Sequence, residues 1–484
     1  MSPLLSSAVS LSSQPSPELA PSHAPYVPHR ASRRPPGAAG GTPNQVLFLT
    51  QLLPYPLDSG AKIRAYYVLR QLAQQHDVTL VSFVRRDDAP QSAGHLASFC
   101  RDVRTVRMRR SPLHDARALL RSILAGMPVI IARDEMAQMH DMLHQLVART
   151  SFDVVHADQT SMAQYALYAR SAARQESPPR LVLDAHNALY RVPARMATHQ
   201  RNSLKRALFR REARLLRRYE EAAYAQFDHV VFVTRIDRND LFGPPAAISS
   251  GGGYENLPHS RLNDDGLQRP PEDARPATSV IPICVDPSQK PLIQPRSNPA
   301  LVTHLGTMVW PPNVEGVLWF AREVWPRVVD RVPQACFTVI GKDPPRDVRQ
   351  LPVETPNVEV TGYLADPRPY LAQTAVFVVP LRAGGGMRVK IIDAWCWGLP
   401  VVSTSIGAEG LAVREGQNIL IADRPAALAD AIVRILHDPA LAARLRENGR
   451  RWVEGRYDWR QVYHQWDHVY NSVTRARLET ATEQ

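Results

Sequence analysis

Val376–Leu411 reads VFVVPLRAGGGMRVKIIDAWCWGLPVVSTSIGAEGL, and this stretch decides the fold. Its apolar opening, Val376 to Pro380, has the length of a short buried strand. Arg382 to Met387 form a loop holding Gly384, Gly385 and Gly386. A helix is expected from about Arg388 to Trp397, stopped by Gly398 with Pro400 just beyond. PVVSTS then reads as a second buried strand, so the unit is βαβ and its sheet parallel.

The loop has a chemical meaning. Glycines let backbone N–H groups approach a bulky ligand, and a helix N-terminus favours an anion. Arg388 and Lys390 add two positive charges to the first helical turn, where they oppose the helix dipole at roughly 0.3–1 kcal/mol each. A bound diphosphate would compensate. Asp393 shares a helix face with Lys390, and a carboxylate there can accept hydrogen bonds from ribose hydroxyls. The plainer alternative is a glycine-rich turn flanked by solvated charges.

GGGMRVKIIDAWCWGLPVVSTSIGAEGL resembles the donor segment of the GT-B glycosyltransferases of family 4, in the branch reading GGG-x-R-x-K-I-x-E-A. The resemblance implies an α/β fold of two Rossmann-like domains whose parallel sheets face a central cleft. It implies a nucleotide-diphosphate sugar as donor substrate, retention at the anomeric carbon, and neither a metal nor a further cofactor. Gly385 and Asp393 stand where the wider family carries two glutamates, the first on the donor sugar and the second on the ribose. The departure at Gly385 leaves the identity of the sugar open.

The 484 residues suffice for two or three domains. Cys100, Cys284, Cys336 and Cys396 are far apart, which fits a reducing compartment and argues against a disulfide framework or zinc site. No stretch has the apolar length of a membrane span, and the N-terminus lacks the pattern of a secretory signal, so a cytoplasmic enzyme is expected. The net charge of +12 admits nucleic acid, an anionic membrane surface or acidic ligands. No nucleic-acid-binding signature accompanies it, so no nucleic-acid partner is expected.

Residues 1–43, rich in Ser, Pro and Ala, are expected to be a disordered tail. An acceptor domain is expected over 44–290, opening with the strand VLFLT and a helix that starts near Gly60. By the family resemblance, the Gly60 amide touches the donor phosphate or sugar. Arg64 is expected to reach the diphosphate or the acceptor. Two further strands end in polar clusters, one carrying His156, Asp158 and Gln159, the other Asp184, His186 and Asn187. Ligands of open α/β sheets collect at the carboxyl ends of strands, so Asp158 and His186 are candidate catalytic or acceptor-binding residues. His199 to Tyr224 reads as one long helix with Arg206, Arg210, Arg214 and Arg217 beside Leu204, Leu208 and Leu215, a pattern that fits an anionic membrane. Residues 243–278 are expected to be a disordered insertion.

The donor domain is expected over 298–457, with Gly306 in the loop after its first strand and Asn313 capping the next helix. That loop carries no Arg or Lys between Gly306 and Asn313, which throws the charge neutralisation onto Arg388 and Lys390. A C-terminal segment, 458–484, is expected to cross back onto the first domain. The expected activity is sugar transfer from a nucleotide-diphosphate sugar to a glycan or lipid-linked hydroxyl acceptor. The competing readings are a nucleotide-sugar epimerase and a non-catalytic nucleotide-sugar-binding protein of the same fold.

Overall fold

In the computed structural model, residues 43–86, 88–200, 202–243, 275–293 and 300–482 are described. The expected N-terminal tail and residues 244–274 of the expected insertion lie outside them. Seven strands form the first sheet: β1 Gln45–Thr50, β2 Asp77–Val84, β3 Asp102–Arg107, β4 Val154–Asp158, β5 Arg180–Ala185, β6 His229–Phe232 and β7 Ala277–Val280. They lie in the order β3-β2-β1-β4-β5-β6-β7, and every pair is parallel. Six strands form the second: β8 Leu301–Leu305, β9 Cys336–Ile340, β10 Val358–Gly362, β11 Thr374–Val379, β12 Val401–Ser403 and β13 Leu420–Ile421. Their order is β10-β9-β8-β11-β12-β13, again parallel throughout. Strand order reverses between β1 and β4 and between β8 and β11, and ligands bind at such points, outside the carboxyl ends.

The elements follow from the residues. Central strands are covered by helices on both faces and so read as unbroken apolar runs, as in VLFL of β1 and VFVV of β11, all buried. β7 is different. Its ATSV is half-exposed, and register with His229–Phe232 holds it in the sheet. The expected insertion therefore cannot run to Thr278; pairing begins at Ala277. The expected long helix is one helix that starts at Ser203 rather than His199 and runs to Tyr224, because the Asn202 side chain caps it by accepting from Lys205 N at 3.0 Å; Arg191–His199 is a separate helix before it.

After β13 the chain returns to the first sheet. Val285 bridges Asp458, and the helix Gln465–Thr482 packs on the helix Gly60–Leu72. Tyr463, Trp466 and Tyr470 are fully buried there, and the Tyr470 hydroxyl lies 2.9 Å from His156 Nδ1. One apolar cluster thus runs without a break from Phe48 and Ile63, through Ile283 and Tyr463, to Val389 and Ile391 beside the second sheet.

Arg64 is at the centre of this arrangement and departs from its expected role. It is completely buried. Its Nε donates to both Asp184 oxygens at 2.8 and 3.0 Å, Nη2 to Oδ1 at 2.8 Å, and Nη1 to the carbonyls of Ile281 and Pro282 at 2.8 Å each. Its guanidinium carbon lies 5.4 Å from the Trp466 ring and 5.9 Å from the Tyr463 ring. The side chain is buried in the core, and its hydrogen bonds run to Asp184 and to two backbone carbonyls. Removing one partner of a buried pair strands the other, so Arg64→Met should cost about 3–5 kcal/mol. Arg64→Lys should recover less than half, because one ammonium cannot replace the guanidinium fork. Urea midpoints at an unchanged slope would check both.

Candidate functional site

The glycine loop follows β11 and leads into the helix Val389–Cys396, which buries Val389, Ile391, Ile392, Ala394, Trp395 and Cys396. That apolar face turns Lys390 toward the loop after β8. Its Nζ donates to Asn313 Oδ1 at 2.8 Å, and a Cβ on Gly306 would lie 2.5 Å from the same Nζ. Asn313 is not the cap expected of it. Its amide donates to the Thr307 carbonyl at 2.7 Å and so fixes the acceptor that holds Lys390. Burial, with Arg388 beside it, pushes the Lys390 ammonium down to about 7. His304, behind Gly306, is fully buried; its Nδ1 bonds the Val378 carbonyl at 2.9 Å, and its Nε2 has no hydrogen-bond partner among the described residues.

Arg388 precedes the helix and is 4% exposed. Nη1 donates to the carbonyls of Gly385 and Gly386, and the guanidinium lies 5.8 Å from the Trp310 ring centroid. Nε and Nη2 have no hydrogen-bond partner among the described residues. Burial pushes this arginine down to about 10; the pull of Glu409 and Asp237 is countered by Arg195 and Arg191.

The opposite wall belongs to the first sheet. A Cβ on Gly60 would meet Val389 Cγ2 at 2.8 Å. Gly386 has φ +71°, and a Cβ there would lie 2.5 Å from the His186 carbonyl. Loops at the carboxyl ends of β5 and β11 therefore touch across the cleft. Arg195 closes it with both Glu409 oxygens, at 2.6 and 2.7 Å, and also donates to the Gly384 carbonyl. Arg191 adds a contact to Glu409 at 3.1 Å. Burial works against the charge of Glu409, and the two arginines more than offset it, holding the carboxyl below its usual range.

Asp158 and His186 do meet. His186 Nε2 lies 2.9 Å from Asp158 Oδ1 and 3.6 Å from Asp184 Oδ2. Burial opposes the charge on this imidazole, but the two carboxylates raise it to about 9. Burial pushes Asp184 up, and Arg64 and His186 reverse the effect, leaving it well below the carboxylate range. The ligand atoms of Asp158, Asp184 and His186 lie close enough for a metal, yet their hydrogen bonds already run to one another and to Arg64. His156 is a core residue, stacked on Phe48 at 4.2 Å and pushed down to about 3 by burial.

The structure thus brings Gly60, Gly306, Gly384, Gly385, Gly386, Arg388, Lys390 and His186 to one cleft, with Asp158 behind His186. It places Arg64 in the core. Asp393 forms an ion pair with Lys290, itself 5.5 Å from the Trp397 ring, so a ribose would have to compete with that ammonium. Arg191, Arg195 and Glu409 escaped the sequence reading. The i, i+4 spacing of the two arginines on one helix was visible, whereas Glu409 lies more than two hundred positions away.

Two family models match the chain: "Glycosyl transferase 4-like domain" over residues 59–247 and "Glycosyl transferases group 1" over residues 299–438. Together they span more than half of it, one on each sheet. The lipopolysaccharide core biosynthesis glycosyltransferase LpsE of Rhizobium meliloti is 31% identical over 27% of this chain and 39% of its own length. The chain spans less than half the length of the curated relatives it matches. Among solved structures, sucrose-phosphate synthase from Thermosynechococcus elongatus superposes with a TM-score of 0.58 at 17% identity, covering 89% of this chain and all of that one. HepE of Anabaena, in complex with UDP and glucose, gives 0.56 at 15% identity with the same coverage. With a matching model on each sheet and this shared two-sheet architecture, the chain belongs to the family-4 glycosyltransferases of the GT-B fold.

Proposed function

We propose that this protein transfers a sugar from a nucleotide-diphosphate sugar to a hydroxyl acceptor in the synthesis of an exopolysaccharide or lipid-linked glycan, with retention and without a metal. The observation that carries the reading is Arg388, a buried guanidinium behind a glycine loop, with two N–H-bearing nitrogens that have no hydrogen-bond partner among the described residues. A buried charge in that state is costly, and an anion would satisfy it. Arg191, Arg195, Arg388 and Lys390 outnumber Asp237, Asp240 and Glu409 around it. The match to HepE, whose structures hold UDP, glucose and UDP-glucose, and the names of the lipopolysaccharide and capsule relatives point the same way.

In this reading Arg388 and Lys390 stabilise the charge that grows on the departing diphosphate, as a metal would elsewhere. The bond from the anomeric carbon to the diphosphate breaks, a bond to the acceptor oxygen forms on the same face, and the acceptor proton goes to the departing phosphate. Gly60 and Gly306 line the donor from the two sides. Gly384, Gly385 and Gly386 cover it, and Asp393 takes the ribose once Lys290 yields. Asp158 and His186 orient the acceptor. Closure across the Gly386 contact excludes water and so limits hydrolysis.

Thermal melting across UDP-, GDP-, ADP- and dTDP-sugars should show one donor class that stabilises the protein with or without magnesium, by about 2.7 kcal/mol at a hundred times its dissociation constant. Arg388→Ala should lose most of that shift and roughly a hundredfold or more of turnover, far more than it lowers the melting point without ligand; unchanged turnover would overturn the assignment. Calorimetry at pH 8 in buffers of different ionisation enthalpy should show uptake approaching one proton per donor bound. Lys390 is mostly neutral above its empty-site value of about 7 and must become ammonium beside a diphosphate. The uptake should vanish near pH 6, where Lys390 is already charged, and in Lys390→Arg. Gly386→Ala should weaken donor binding about tenfold or more, since its Cβ strikes the His186 carbonyl at positive φ. Gly385→Ala, whose nearest contact would be the Ala188 carbonyl at 3.3 Å, should be much milder in the same titration.

A further inference from the structure

The helix Pro112–Ala125 is built inside out. Its packed side is small and polar, with Ala118 and Ser122 buried. Its solvent side carries Leu113, Leu119, Leu120, Ile123 and Leu124, between 47% and 77% exposed. At 100° per residue these five fall within an arc of about 140°, with Arg117 and Arg121 along one edge. Asp115, the acidic residue of this helix, lies on the other side of the arc. A second helix also carries exposed leucines. Arg211 donates to the Ser122 carbonyl at 2.6 Å and to its hydroxyl at 3.0 Å, which ties Ser203–Tyr224 to the packed side of Pro112–Ala125. In Ser203–Tyr224, Leu204 and Leu208 are 79% and 52% exposed, between Lys205, Arg206 and Arg210. These three cations and Arg117 have no ion pair among the described residues; Arg121 pairs with Glu135. Arg217, part of the basic face expected from the sequence, is instead held by Glu221 at 3.0 Å and lies over the Tyr190 ring at 5.5 Å.

We infer that the outward apolar face of Pro112–Ala125, together with the first turns of Ser203–Tyr224, is a docking surface for an anionic lipid bilayer. An apolar arc edged by arginines, with a second set of leucines among cations, matches the depth profile of a leaflet. The leucines enter the acyl boundary to about 5–10 Å, and the basic heads stay with anionic headgroups. A protein or peptide groove would require no such excess of cations, and patches of this kind are rare on monomers without a partner. The position suits delivery of an acceptor. Pro112–Ala125 follows β3 at the carboxyl end of the sheet, and Ser203–Tyr224 begins just after the helix that carries Arg191 and Arg195 to the cleft. The inference deepens the proposed reading by placing the acceptor in the membrane, and its test separates the two.

The full chain is floated with vesicles of phosphatidylglycerol and phosphatidylcholine, and with phosphatidylcholine alone. Wild type should float with the anionic vesicles, poorly with the neutral ones, and less in high salt. Leu120→Glu with Leu124→Glu should cut the bound fraction about tenfold while leaving the melting shift with donor unchanged. Arg117→Glu with Arg210→Glu changes only exposed charge, and should lose the preference for anionic vesicles even if the first variant folds poorly. Absence of wild-type flotation, or unchanged flotation of both variants, overturns the docking surface. So does a wild-type dimer in light scattering that the leucine variant renders monomeric, because the face is then covered by a second copy. Loss of every donor response with flotation intact overturns the proposed transfer and leaves the surface standing.

Discussion

The salt bridge between Arg64 and Asp184 is wholly out of water. Two desolvated charges persist only if every polar direction around them is filled, and this requirement draws distant parts of the chain to one point. The arginine comes from the first helix and the carboxylate from the end of β5. The remaining acceptors are the carbonyls of Ile281 and Pro282, and the covering rings are Tyr463 and Trp466 of the C-terminal return. Asp184 also faces His186, which is charged and bonded to Asp158. Burial pushes the Asp158 carboxyl up, but with it ionised beside a protonated His186 the arginine, histidine and two aspartates sum to zero charge, so the group can be buried as a unit. Its outer member, His186, presents the carbonyl against which Gly386 rests. The wall of the cleft is thereby set by the same constraint that closes the core.

The parallel sheets were legible because strands covered on both faces are continuous apolar runs, and the glycine loop was legible because three glycines before a basic helical turn admit few readings. Arg64 was misjudged for an identifiable reason. Ala65, Tyr66, Tyr67, Val68 and Leu69 follow it without a polar break, and such a run is buried on every side. A residue in the turn below must be buried too, and an arginine there needs a carboxylate. That signal was present. The pairing of Arg195 with Glu409 had no local signal, because it links a helix of the first sheet to the loop after β12. Asp393 was read from its place in a motif, and motif position carries no information about Lys290, which arrives from the segment joining the two sheets.

The glycines also mean more than close approach to a ligand. Gly386 and Gly60 are two of the points at which the halves touch, one against the His186 carbonyl and the other against Val389. A side chain at either would hold the halves apart. Arg388 meanwhile donates to the carbonyls of Gly385 and Gly386, so the loop's shape and the site's charge are fixed by one residue. Contact between the halves, loop geometry and, in the proposed reading, anion recognition are therefore coupled through a few atoms.

Closure has an electrostatic consequence. Glu409 stands near Arg388, and left alone its carboxylate would neutralise the guanidinium assigned to the diphosphate in the proposed reading. When the halves meet, Arg195 takes both oxygens of Glu409 and Arg191 adds to them. The carboxylate is then satisfied by cations of the opposite wall, and Arg388 keeps Nε and Nη2 without hydrogen-bond partners among the described residues. In a low-dielectric cleft an unscreened cation attracts a diphosphate far more strongly than it would in water. In the proposed reading, the contact between Arg195 and Glu409 thus leaves Nε and Nη2 of Arg388 for the diphosphate, at a place from which water is excluded.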